Sequence, residues 1–348
     1  MLNNILPSDK RINYTGRIDF TDENAPVFYY AGSCAAFRFE GTGFSVKINS
    51  AVYWGELSLG IVIDGELKCE RLDPENNGKD VVITRKIPDG IHNIVIYKQH
   101  AANQLLSIKG FAVEGELLEP AAKPALKIEA YGDSVCAGEV IEAYDYVGKN
   151  DPENHNSRYD NVWNSFVMQT SRNLNAEIHN ICQGGIAILD GTGYFHHPDY
   201  IGLESVYDKL CYFPEGGISQ WDFSRYIPDI VIIAVGQNDK HNGRQDNDDI
   251  DIGDPSYRAL WKTAYIKIVR DLDKKYSSPK FVLTTTILGH DPEWDNAIEE
   301  IKNELCEMGI KAYHNVFKRN GSATLGHPRL AEHNEMTAEL TEFIKKIL

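Results

Sequence analysis

Along the first third of the chain, apolar and polar residues alternate. Residues 36–40 (AFRFE) and 44–48 (FSVKI) carry the two-residue period of half-buried strands. Residues 57–59 and 61–63 run into Asp64-Gly65, a hairpin signal, and residues 81–83 and 94–97 flank a second one, Pro88-Asp89-Gly90. Short strands, such turns and no helical period predict an all-β sandwich of the jelly-roll type over residues 1–118, with its last strand near 110–113. Pro120 and Pro124 disfavour a continuing ladder, so residues 119–125 read as a linker.

From residue 126 the period changes. Residues 126–131, 178–182, 230–235, 280–286 and 310–316 read as strands. Of these, 230–235 (IVIIAV) is the continuous apolar run of a strand buried on both faces. Residues 161–174, with Asp160 as a cap, and residues 256–274, 293–308 and 329–347 show helical spacing. Strands alternating with helices predict an α/β domain over residues 126–348, a parallel sheet flanked by helices. The acidic stretch 246–254 (DNDDIDIGD) fails the calcium-loop spacing at Ile250 and Asp251, and is expected to be a solvated loop.

Composition narrows the partners. The 348 residues suit two domains, and no apolar stretch reaches the ~18 residues of a membrane span. With 35 Lys+Arg against 51 Asp+Glu the net charge is −16, of which −12 lies beyond residue 122. Such a chain is repelled by nucleic acid and anionic lipid, which leaves neutral sugars or uncharged esters as partners. The start, MLNNILPSDKRINY, lacks the apolar core of a signal peptide. Six widely spaced cysteines include no CxxC pair, so reduced thiols and a cytoplasmic location are expected. No ligand spacing calls for a metal, and no motif calls for a cofactor.

Four segments carry chemistry. Gly132-Asp133-Ser134 follows the first α/β strand, where a sharp turn leads into amides that favour a developing oxyanion. Gln183-Gly184-Gly185-Ile186 follows the second strand, Gly236-Gln237-Asn238-Asp239 the third, and Gly326-His327-Pro328 precedes the last helix. Their order resembles the SGNH (GDSL-like) hydrolase superfamily. With a β domain in front, and with the run-in from Trp221 to Asp229, the chain resembles carbohydrate esterase family 2, whose members remove acetyl groups from plant polysaccharides and oligosaccharides. The resemblance implies Ser134 as nucleophile and His327 as general base. It also implies an oxyanion hole of the Ser134 and Gly185 N–H groups and the Asn238 side chain, with no metal.

One departure stands out. The family usually orients its histidine with an aspartate two or three residues earlier, where this chain has Leu325 and Thr324. Either another group orients the ring or the site works as a Ser–His dyad, and the dyad is favoured, since a backbone carbonyl accepting from Nδ1–H can fix the tautomer without a charge. Glu139, Trp221 and His241 are candidates for substrate contact. His196 and His197 could line a cleft, and His333 is expected to face solvent or to cap a neighbour. Trp163, Tyr194, Phe195 and Trp294 could stack on sugars, although core roles suit most of them better. On this reading the protein is a carbohydrate O-acetyl esterase acting on hemicellulose-derived mannan or xylan oligosaccharides. The competing readings are a lipid or thioester acyl hydrolase and a non-catalytic sugar-binding protein.

Overall fold

The computed structural model describes residues 2–101, 103–214, 217–245, 250–289, 291–319 and 324–348. They form two compact units, Met1–Lys123 with Asn156–Arg158, and Pro124–His155 with Tyr159–Leu348.

The first unit is all β. Its strands are β1 (Leu2–Ile5), β2 (Asn13–Thr15), β3 (Ile18–Asp19), β4 (Val27–Phe28), β5 (Cys34–Val52), β6 (Ser58–Ile63), β7 (Glu66–Arg71), β8 (Asp80–Tyr97) and β9 (Gln104–Leu118). They join in one antiparallel sheet of order β3-β4-β9-β5-β8-β6-β7, with β1 on β9 and β2 on β5. The sheet curls around a core in which Phe37 packs against Phe39, Phe44 and Phe111, with centroids 5.2–6.2 Å apart.

Two predicted features merge here. Residues 36–40 and 44–48 belong to one strand, β5, bent where its register on β8 and β9 shifts between Gly41 and Gly43. Gly41 pairs with Gly115, and a Cβ on either would collide with the opposite strand's carbonyl, so only paired glycines allow the bend. Pro88-Asp89-Gly90 is not a hairpin. It lies inside β8, where Pro88 and Asp89 belong to the excess of residues that faces this bulge and Gly90 pairs with Gly41. Asp64-Gly65 does turn, with φ of 51° and 89°, joining β6 to β7.

Residues 119–125 hold neither strand nor helix. The second unit follows with β10 (Leu126–Gly132), α1 (Ser134–Ala137), α2 (Phe166–Asn173), β11 (Ala176–Cys182), α3 (Leu203–Val206), β12 (Ile230–Ala234), α4 (Pro255–Lys275), β13 (Lys280–Thr284), α5 (Pro292–Glu307), β14 (Ala312–His314) and α6 (Leu330–Ile347). The five strands are parallel, in the order β11-β10-β12-β13-β14. Every residue of β12 is buried, as its unbroken apolar run requires. Asp254 and Asp291 cap α4 and α5, accepting amide protons at 2.9 Å, with Pro255 and Pro292 in the first helical position.

Asp160 is no helix cap. It accepts the Val140 N–H at 2.9 Å, and residues 161–174 break into a short turn (Val162–Asn164) and α2, with Ser165 between them. Residues 246–249 of the acidic stretch lie outside the described residues.

Candidate active site

Register brings the motifs together. Gly132 at the end of β10 pairs with Cys182 of β11 on one side and with Ala234 of β12 on the other. Three strand ends are therefore level, and Ser134, Gly185 and Asn238 follow them by two, three and four residues at one edge. Doubly wound sheets bind ligands at this edge, where the strand order reverses.

The turn at Ser134 is tightly built. A Cβ on Gly132 would collide with Cys136, so the residue before the turn can only be glycine. Asp133 caps α1, accepting the Val135 N–H at 2.9 Å. Gln237 donates to Asp133 and also, at 2.6 Å, to Thr286 Oγ1, which ties the third motif to the first. Asn238 Nδ2 donates to Ile186 O at 2.9 Å, which ties the third to the second and leaves one amide proton for a ligand. The N–H groups of Ser134 and Gly185 have no hydrogen-bond partner among the described residues. Asp239, which the sequence had not singled out, is buried. It accepts the Ile188 and Leu189 N–H groups at 2.8 and 3.0 Å and the Thr192 hydroxyl at 3.0 Å, holding the chain just beyond Gly185.

His327 Nε2 lies 2.9 Å from Ser134 Oγ. Its Nδ1 lies 2.6 Å from Asp151 Oδ2, and its own N–H donates to Asp151 Oδ1 at 2.9 Å. This corrects the expected dyad: a carboxylate does orient the ring, and it comes from 176 positions earlier in the chain. Asp151 also pairs with the buried Arg329 guanidinium at 2.8 Å, and Arg329 in turn donates to the His327 carbonyl. A Cβ on Gly326 would collide with Asp151, so glycine is required before the histidine. Burial works to raise the Asp151 pKa, but His327 and Arg329 together hold its carboxyl well below the usual range.

Residues 14–121 match the family model described as carbohydrate esterase 2 N-terminal. The cellulase/esterase CelE of Acetivibrio thermocellus is 28% identical over 97% of this chain, and the chain spans 39% of that protein's length. The acetylxylan esterase/glucomannan deacetylase of Cellvibrio japonicus is 26% identical over 99% of this chain and 91% of its own. The structure of a family two carbohydrate esterase from Clostridium thermocellum in complex with cellohexaose superposes with a TM-score of 0.81, at 26% identity over 96% of this chain and 98% of that one. Over nearly its whole length the chain is similar to family two carbohydrate esterases.

At this site the imidazole is tuned by its neighbours. Burial alone would lower the His327 pKa, but the hydrogen bond to Asp151 and the negative charge of Asp151 raise it above the ordinary imidazole value. Glu139 gives its N–H to Ser134 O at 3.0 Å, and its carboxyl fills the space that a side chain on Gly184 would take. Burial, then Asp160, Asp133 and Asp151, raise its pKa to about 8, so it is a neutral acid at pH 7. Burial likewise pushes Asp133 up to about 6.

The other candidates sort cleanly. His241 is buried and stacks on Tyr194, with centroids 4.1 Å apart and planes at 10°. Tyr194 packs against Gly185 and is 53% exposed, so this pair walls the Gly185 side of the site. Trp221 does not join the site: it is 4% exposed, packed against Arg225 and His179. Trp294 packs in the core on Trp261, and Phe195 is buried. His333 is fully buried rather than facing solvent, and its Nδ1 accepts the Phe166 N–H at 3.1 Å at the start of α2. Burial holds it neutral, with its pKa lowered to about 3. His196 is in edge contact with Phe213 and His197 with Tyr200, each at a centroid distance under 6 Å (5.7 and 5.3 Å). Among the described residues, no three His, Cys, Asp or Glu side chains converge as a metal would require.

Proposed function

We propose that the protein is a carbohydrate O-acetyl esterase, acting on neutral acetylated oligosaccharides of the mannan or xylan type. The observation that carries this is the unbroken chain Ser134 Oγ–His327–Asp151, at 2.9 and 2.6 Å, facing free N–H donors at a sheet edge. Ser134 Oγ attacks the acetyl carbonyl as His327 Nε2 takes its proton, and the imidazolium that forms is stabilised by Asp151. The oxyanion takes hydrogen bonds from the Ser134 and Gly185 N–H groups and the second amide proton of Asn238. His327 then returns the proton to the departing sugar hydroxyl. Water attacks the acetyl-serine with His327 again as base, and acetate and free serine result.

The sugar preference is supported by relatives named as an acetylxylan esterase/glucomannan deacetylase and as a family two esterase in complex with cellohexaose. The acidic balance of the chain adds support for an uncharged substrate. A cytoplasmic location is part of the same reading, supported by six cysteines that all remain free thiols. Recovery of the native protein outside the cytoplasm on cell fractionation would overturn that part.

The test is acetate release from acetylated glucomannan and xylan oligosaccharides. Replacing Ser134 by Ala is expected to cut the rate about 10,000-fold or more. Equal release by the variant would remove Ser134 from the mechanism. Faster turnover of nitrophenyl octanoate than of nitrophenyl acetate would move the substrate to longer acyl chains.

A further inference from the structure

The connection from β5 to β6, within the first unit, carries two adjacent exposed rings. Tyr53 is 49% and Trp54 54% exposed, and both line a cavity of about 570 Å³ together with Glu56, Arg71, Asn77 and Asn156. That volume lies inside the range of about 300–1,000 Å³ typical of ligand pockets. Isolated exposed aromatics are ordinary on a protein surface, but a pair at the mouth of a cavity on a fixed frame is not.

The frame is fixed by hydrogen bonds on every side of the rings. Asn103 O accepts the Tyr53 N–H at 2.8 Å, and Asn103 Nδ2 donates to Trp54 O at 2.7 Å. Asn77 clamps Val52 through both its backbone groups, at 2.9 and 3.2 Å. The Glu56 N–H reaches Asn156 O at 2.9 Å and Ser157 Oγ at 3.1 Å. Gly55 has φ of +95°, and a side chain there would collide with Ser157, so the loop can take this path only with glycine.

The charges at the cavity are of both signs. The Glu56 carboxylate lies 3.5 Å from Arg71 and 3.8 Å from Arg158, and Arg71 Nη2 also donates to Arg158 O at 2.9 Å. The lining therefore offers apolar ring faces, an exposed amide at Asn156 and paired charges, with no single-sign field to draw an ion. Flat apolar faces suit the C–H faces of pyranose rings, and paired donors and acceptors suit their hydroxyls.

We propose that this cavity is a binding subsite for an uncharged oligosaccharide, with Trp54 as its stacking platform. It rests on the reading of the protein as a carbohydrate esterase, and its occupant is the sugar chain that bears the ester.

The experiment is calorimetric titration of the full-length Ser134→Ala protein with cellohexaose and with deacetylated glucomannan, repeated with Trp54→Ala or Trp54→Phe added. Trp54→Ala is expected to weaken binding about 3- to 10-fold, while Trp54→Phe, which keeps a flat ring, recovers most of the loss. In the active protein, Trp54→Ala should lower kcat/KM on acetylated glucomannan by a similar factor relative to kcat/KM on nitrophenyl acetate. No binding by the parent, unchanged binding in Trp54→Ala, equal losses for Ala and Phe, or tighter binding of polygalacturonate would each overturn the subsite. Persistent acetate release by Ser134→Ala would instead overturn the catalytic reading, and the calorimetry would still decide the subsite.

Discussion

Ser134, Gly185 and Asn238 stand at the ends of three neighbouring parallel strands, whereas His327 and Asp151 stand on loops whose positions no strand register sets. On the strand side, level pairing of Gly132 with Cys182 and Ala234 delivers the groups to one edge. Gln237, Asn238 and Asp239 then stitch the turns to one another. On the loop side, a carboxylate, an imidazole and a guanidinium hold each other, and Gly326 leaves the room for it. Ser134, Gly185 and Asn238 are thus placed by the sheet, and His327 and Asp151 by mutual charge. The strand register that sets the first side is insensitive to pH, while the charge cluster on the loops titrates, so the two sides should fail in different ways.

The largest effect should come from the loop side. Replacing Asp151 by Asn is expected to cut kcat about 100- to 10,000-fold with little change in KM. The neutral imidazole is the active form, and Asp151 raises the His327 pKa above its ordinary value. Activity therefore rises with pH through that raised value, and in Asp151→Asn the acid limb should move to lower pH. A loss under about threefold with an unmoved limb would mean that something else orients the ring. Next, Asn238→Ala should cost about 100- to 1,000-fold in kcat, since one oxyanion donor is removed, and should leave both limbs of the pH profile in place. A shifted limb would show that the two sides are not separable.

The smallest effect sharpens the contrast. Glu139→Gln mimics the neutral acid, so activity at pH 7 should stay within about threefold. Because the folded-state pKa of about 8 exceeds the ordinary glutamate value of 4.5, the folded protein holds a proton that the unfolded chain releases. Wild-type stability then falls as pH rises from about 4.5 to 8, and the variant escapes that loss. Its Tm should gain on wild type across this window by a few degrees and level off above it. A constant Tm difference from pH 5 to 9 would refute a neutral Glu139.

The same division decides what could be seen in the sequence. Glycine-bearing turns after apolar runs announce strand ends, so Ser134, Gly185, Asn238 and the helix after His327 were legible, as were α4, α5 and α6 to within a residue or so. Asp151 was not, because it sits in a polar stretch (GKNDPENHN) where another acidic residue carries no period. The demand for glycine at 326 was the trace it left, and that trace has meaning only once the partner is known. In the first unit, Pro88-Asp89-Gly90 imitates a hairpin because turns and bulges ask for the same residues. A bulge needs a partner strand to be recognised, here the Gly41 bend in β5.

The 176-residue separation between acid and base has a consequence for how such a protein can change. Where both groups share one short motif, an alteration there threatens the histidine as well. Here Asp151 can be lost, restored or replaced by edits confined to a surface loop, with Ser134, Gly185, Asn238 and the sheet untouched. The strength of the base is in that sense a detachable part, open to adjustment by selection or by an engineer without rebuilding the catalytic domain.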